Sequence, residues 1–128
     1  MRQSALLEFT STAFPIEAGE DEETNPGIYG RALALWLGEQ FQRRGIPAGE
    51  VFAEDFGWCL PVSSKSQRLY ITCSSAEEAP NSWRVFVFSE GGLWARLLGR
   101  DRSGEALNEL YLQVKDVLQS TAEVMNLY

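Results

Sequence analysis

The sequence predicts an α+β domain: a two-layer sandwich in which an antiparallel sheet of about five strands carries two helices on one face. Three observations predict it. Two segments, one following Asn25 and one following Ser103, repeat apolar residues every three to four positions, the period of a helix packed on one side. Outside them, short runs alternate apolar and polar residues or are apolar throughout, as strands do. The runs between the helices are separated by short polar turns, and short connections join antiparallel strands. The resulting order is β-α-β-β-β-β-α. No repeat, linker or change of composition divides the 128 residues, so residues 1–128 read as one domain.

Residues 5–10 form the first strand, with Ala5, Leu7 and Phe9 alternating against Leu6, Glu8 and Thr10. Residues 10–24 lack periodicity, hold Pro15, Gly19 and five acids, and read as an exposed loop. Asn25 is suited to cap the first helix and Pro26 to begin it, where a missing N–H is harmless. Tyr29, Leu33, Trp36, Leu37 and Phe41 form the buried stripe, with Trp36 in the core. Arg43 and Arg44 fall in the last turn, and Gly45 is the expected left-handed cap. Gly30 and Gly38, inside this pattern, each cost about 1 kcal/mol relative to alanine, which points to close packing against the sheet.

Beyond a turn at Ile46–Gly49, residues 51–53 and 56–62 read as one strand broken near Glu54 and Asp55. Phe56, Trp58, Leu60 and Val62 share a face of it. After a turn at 63–66, residues 68–73 form the next strand, with Leu69, Ile71 and Cys73 together. A polar loop at 74–82 leads to the apolar run 83–88, an interior strand. Gly91-Gly92 implies a hairpin into a strand at 93–98. The last helix starts near Ser103 and faces the core with Leu107, Leu110, Val114, Val117, Leu118, Thr121 and Met125.

Eighteen acids against eleven bases give a formal net charge of −7. Residues 1–55 hold ten acids and four bases, so the excess lies mainly there. Such a surface repels phosphate backbones and anionic headgroups, so neither nucleic acid nor membrane is expected as a partner, whereas a basic protein is. No apolar run of signal-peptide length follows Arg2, and the apolar stretch 32–37 is too short for a bilayer. With two cysteines only, a cytoplasmic protein with reduced thiols is expected. Histidine is absent, which removes His-containing triads and zinc sites, and no phosphate-binding glycine motif occurs. No cofactor, no metal and no enzymatic activity are expected.

The remaining candidates are polar segments. The run Glu20-Asp21-Glu22-Glu23 could offer oxygen ligands to a divalent cation, but reads first as a solvated loop complementing the positive end of the following helix. Glu54 and Asp55 beside Phe56 and Trp58 could split their pKa values for acid–base work, but neighbours on a strand point apart, so they read first as exposed charges at a strand break. Trp58 is a sheet residue or a binding platform. Cys59, on the opposite face, is a structural or a reactive thiol. Arg96, Arg100 and Arg102 are solvated or form an anion site before the last helix.

Residues 9–62 carry an acidic loop, Asn25-Pro26-Gly27 with Tyr29-Gly30, the helix core Leu35-Trp36-Leu37, and Glu54-Asp55-Phe56-Gly57-Trp58 leading into a strand. In these features the chain resembles a family of small uncharacterised bacterial proteins. The resemblance implies a bacterial cytosolic origin and brings no activity, cofactor or site residue with it. It draws attention to the segments 20–27 and 54–58. Taken together, the expected function is that of a binding protein, an inhibitor or immunity-type protein neutralising a basic partner such as a toxin. Glu20, Asp21, Glu22, Glu23, Glu54, Asp55 and Trp58 would be its contact residues. A small-molecule or peptide-binding regulatory module, a structural or assembly protein (including a homodimer), and an enzyme using carboxylates, tyrosine or Cys59 are the other readings.

Overall fold

Strand alternation builds the sheet of the computed structural model, which describes residues 2–64, 67–76, 81–89, 103–121, 124, 125 and 127. The strands are β1 (Arg2–Gln3), β2 (Leu7–Thr10), β3 (Phe52–Glu54), β4 (Gly57–Ser64), β5 (Gln67–Ser75) and β6 (Ser82–Ser89). The helices are α1 (Arg31–Arg43) and α2 (Ser103–Gln119), with a 3₁₀ turn at Glu20–Glu22. All pairings are antiparallel, in the order β1-β6-β5-β4-β3, and β2 also pairs with β6.

Gln3 pairs with Phe88 and Leu7 with Val85, so one extra residue sits on the β1–β2 side. This is a β-bulge within a single strand, which forms the edge of the sheet among the described residues. Ser4 fills it: its N–H donates to Val87 O and its Oγ accepts from Val87 N. The six segments therefore act as five strands, and the expected two-layer α+β fold is present.

Leu33, Leu37 and Phe41 of α1, with Ala106, Leu110, Val114 and Leu118 of α2, are buried against one face of the sheet. That face presents Trp58, Leu60, Val62, Leu69, Ile71, Cys73, Val85 and Val87. Gly38 lets α1 approach closely, since a Cβ there would lie 3.3 Å from Leu60 Cδ1. At the C-terminus of α1, Ile46 N–H donates to Phe41 O and Gly45 N–H to Gln42 O. Gly45 has φ 76°, and the whole is a Schellman motif.

Five sequence expectations are corrected. First, α1 begins at Arg31 and not at Asn25 or Pro26. Ile28 N–H donates to Asn25 O across Pro26-Gly27, with Gly27 at φ 85°, so proline and glycine build a type II turn instead. Second, residues 51–62 are a hairpin, not one broken strand. Ala53 pairs with Trp58 and Glu54 with Gly57, reversing the chain at Asp55-Phe56. Third, Phe56 leaves the face of Trp58 and Leu60; its ring lies 6.3 Å from that of Phe86 and 6.0 Å from that of Phe88 on the outer face. Fourth, α2 stops at Gln119, so Thr121 and Met125 are not part of its stripe. Met125 instead exchanges backbone hydrogen bonds with Thr10 at the end of β2, its side chain exposed. Fifth, the 10–24 loop is only partly exposed. Phe14 is buried between Phe9, Trp36 and Trp83, and Trp36 itself is half-buried.

The expected strand at 93–98 and the arginines 96, 100 and 102 lie outside the described residues. Among the described residues the four strands between the helices are β3, β4, β5 and β6. No described element covers the outer face of the sheet, where Phe52, Tyr70 and Phe88 add to Phe56 and Phe86, Tyr70 stacking on Phe88 at 5.0 Å.

Candidate functional site

Two features crowd the end of β5. Gly30 and Gly57 both press on the carbonyl of Cys73: a Cβ at Gly30 would lie 2.5 Å, and one at Gly57 2.6 Å, from its oxygen. Only glycine permits this approach. Segment 27–30 is then pinned to Ser75, whose N–H donates to Tyr29 O while its Oγ accepts from Tyr29 N and donates to Gly27 O.

The acidic run dissolves into separate roles on this scaffold. Glu20 is 6% exposed, and its carboxylate accepts from Gly30 N at 2.8 Å and Arg31 N at 3.1 Å. It complements the positive end of α1, as expected, but from inside the protein and not as a solvated charge. Asp21 accepts from Gly27 N at 2.9 Å, and its charge beside Tyr29 holds that phenol above its ordinary pKa. Glu22 and Glu23 are exposed. Nearby, Thr24 Oγ1 donates to Ile28 O at 2.6 Å. Among the described residues, no group of three or more Cys, Asp or Glu side chains could hold a metal ion.

Asn25 N–H donates to Asp55 O at 2.8 Å, which ties the acidic loop to the β3–β4 hairpin. The structure therefore brings together the two segments that sequence singled out thirty residues apart. Glu54 and Asp55 are both exposed beside the loop. Trp58 is 3% exposed and packs in the core, its ring also covered by the Arg31 guanidinium, so it offers no platform while Arg31 is in place, and its Nε1 has no hydrogen-bond partner among the described residues.

Between loop and hairpin lies a cleft of about 420 Å³, lined by Glu23, Arg31, Glu50, Val51, Phe52, Ala53 and Trp58. The guanidinium of Arg31 sits over the Trp58 ring, 5.8 Å from its centroid. Sequence reasoning missed Arg31 and Glu50. Neither belongs to a motif, and only the turn at Pro26-Gly27 and the hairpin bring them together.

The thiols are not poised for chemistry. Cys59 is fully buried on the outer face, with Thr72 Oγ1 at 3.6 Å, and burial pushes its pKa up to about 11. Cys73 is buried on the helix face, and burial raises its pKa also. Their side chains point to opposite sides of the sheet, so they do not form a disulfide. No helix among the described residues is long and apolar enough to cross a membrane. No known protein family matches the sequence, and neither curated proteins nor solved structures give a match to it.

Proposed function

We propose that the chain is a non-enzymatic binding domain that engages a basic protein partner, in the manner of an inhibitor or immunity protein. The contact surface is the acidic rim of Glu22, Glu23, Glu54 and Asp55, with Glu50 beside them. One observation carries the reading: the hydrogen bond from Asn25 N to Asp55 O draws carboxylates from two remote segments to the same end of the sheet. Exposed carboxylates of one sign steer a basic partner and oppose an acidic one. Glu20 and Trp58 act beneath this surface, the first by ordering the loop and the second by packing the hairpin.

The test is capture from a bacterial lysate, comparing the wild-type chain with a variant charge-reversed at Glu22, Glu23, Glu54 and Asp55. The expected result is one stoichiometric basic protein, lost on reversal and weakened by salt. Retention of the same protein by the reversed variant, or recovery of no such protein, refutes the proposal.

The cleft beside Trp58 favours a second reading, a small-molecule or peptide-binding module, because it sets a cation, two carboxylates and an apolar wall around one concavity. A ligand present at 100 times its dissociation constant stabilises the fold by about 2.7 kcal/mol, which a thermal-shift screen detects.

A further inference from the structure

The cleft beside Trp58 narrows the chemistry of the partner, on the premise that the partner is a basic protein. Three observations converge there. Arg31 over Trp58 shows that the ring face accepts a guanidinium in this environment. Arg31 is lightly held: its side chain is 44% exposed, and its ion-pair partner Glu17 stands 4.0 Å away and is itself 73% exposed. Exposed pairs of that length contribute little. Glu23 and Glu50, on the same cleft, have no ion pair or hydrogen bond through their side chains among the described residues. Two carboxylates without a partner among the described residues therefore line the same cleft as one loosely held cation. Val51 and Ala53, on the Trp58 side of the hairpin, supply an apolar wall for the methylenes of a long side chain.

We propose that this cleft is the seat of an arginine side chain of the partner, and that Arg31 is the intramolecular occupant which that side chain displaces. The incoming guanidinium stacks on Trp58 and pairs with Glu23 and Glu50. Arginine is preferred to lysine because a planar, weakly hydrated cation stacks on an indole better than an ammonium does. Arg31 lowers the apparent affinity of the seat, both by filling it and by its charge.

The experiment is an NMR titration of the full chain with capped tri-arginine and tri-lysine peptides at low salt, following the Trp58 indole N–H. The expected result is a saturable Trp58 shift with tri-arginine and a weaker response to tri-lysine. Arg31→Ala tightens binding about fivefold, and the double variant Glu23→Gln, Glu50→Gln weakens it by about the same factor. Arg31→Gln, which keeps most of the side-chain length, repeats the first comparison should the alanine variant lose its fold. Unchanged or weaker binding in the Arg31 variants overturns the proposal. So does a titration that shifts surface carboxylates broadly and leaves Trp58 unmoved. Partner capture separates the two levels: a partner lost on reversal of Glu22, Glu54 and Asp55 but held equally by Arg31→Ala sinks the seat and leaves the acidic rim standing. Recovery of no partner sinks the rim, while the peptide titration still decides the seat.

Discussion

Replacing Glu20 by alanine removes the acceptor on which the start of α1 depends. In the native fold one carboxylate oxygen takes the N–H groups of Gly30 and Arg31 at 2.8 and 3.1 Å, and the other takes Glu17 N–H at 3.4 Å. Gly30 cannot cap the helix, having no side chain, so Glu20 does so from ten residues upstream. Loss of a helix cap costs about 0.5–2 kcal/mol. Loss of a partly buried charge at a helix end adds up to ~2 kcal/mol. With Gly30 buried, its N–H is left without a partner, and the sum for Glu20→Ala is about 3 kcal/mol. Glu20→Gln keeps an oxygen for Gly30 and Arg31 but turns an amide NH₂ toward the N–H of Glu17, and costs about 1.5 kcal/mol. The exposed Glu22→Gln serves as a control and stays within about 0.5 kcal/mol of wild type. Urea unfolding followed by circular dichroism measures all three. At a slope of roughly 2 kcal/mol per molar, Glu20→Ala lowers the midpoint by about 1.5 M with the slope unchanged. A midpoint within experimental error of wild type refutes the capping argument. A Glu20→Gln variant as unstable as Glu20→Ala refutes the part assigned to the two N–H bonds.

Gly30→Ala and Gly57→Ala each drive a Cβ into the Cys73 carbonyl and cost at least about 3 kcal/mol, whereas Gly27→Ala meets no neighbour within 4 Å and costs only the strain of a positive φ, about 1 kcal/mol; urea midpoints rank them. Neither thiol reacts with a thiol-directed reagent at pH 8 in the native state, and labelling follows the unfolding curve in urea; stoichiometric labelling without denaturant refutes their burial. Because the folded pKa of Cys59 stands near 11, above the unfolded value of about 8.5, its contribution to stability is complete below pH ~8.5 and is lost as pH rises toward 11. Cys59→Ser shows a shallower alkaline decline, read by thermal melts between pH 8 and 11. Arg44 and Asp116 join α1 to α2 at 2.8 Å but are exposed, so Arg44→Ala costs no more than about 1 kcal/mol, and the cost shrinks in 1 M salt.

Elements whose residues interact with near neighbours in the chain are legible in the sequence. The buried faces Leu33, Leu37, Phe41 and Leu107, Leu110, Val114, Val117, Leu118 of the two helices, the Gly45 cap, the alternation of β4 and β5 and the two-layer α+β class all derive from spacing, because a periodic face must be buried to be stable; Tyr29, Thr121 and Met125, beyond the helix ends, do not. Pro26 misled for an instructive reason: proline at the first position of a helix and proline at the second position of a type II turn are locally equivalent. The choice between them is made by Gly27 and by the docking of segment 27–30 on Ser75, 46 residues away from Tyr29. Phe56 misled similarly, since alternation continues through a tight hairpin while the chain reverses.

Composition was sufficient for the acidic character of the protein and for the absence of imidazole chemistry, since both depend only on which residues are present. It could not separate Glu20 from Glu22 and Glu23. Their difference lies in the two N–H groups of a helix start that lands on Glu20 alone. Nor could it pair Asn25 with Asp55, or bring Arg31, Glu50 and Trp58 to one cleft. Those contacts join positions that are distant along the chain, and only the packing of the loop and hairpin against the end of β5 brings them within reach of one another.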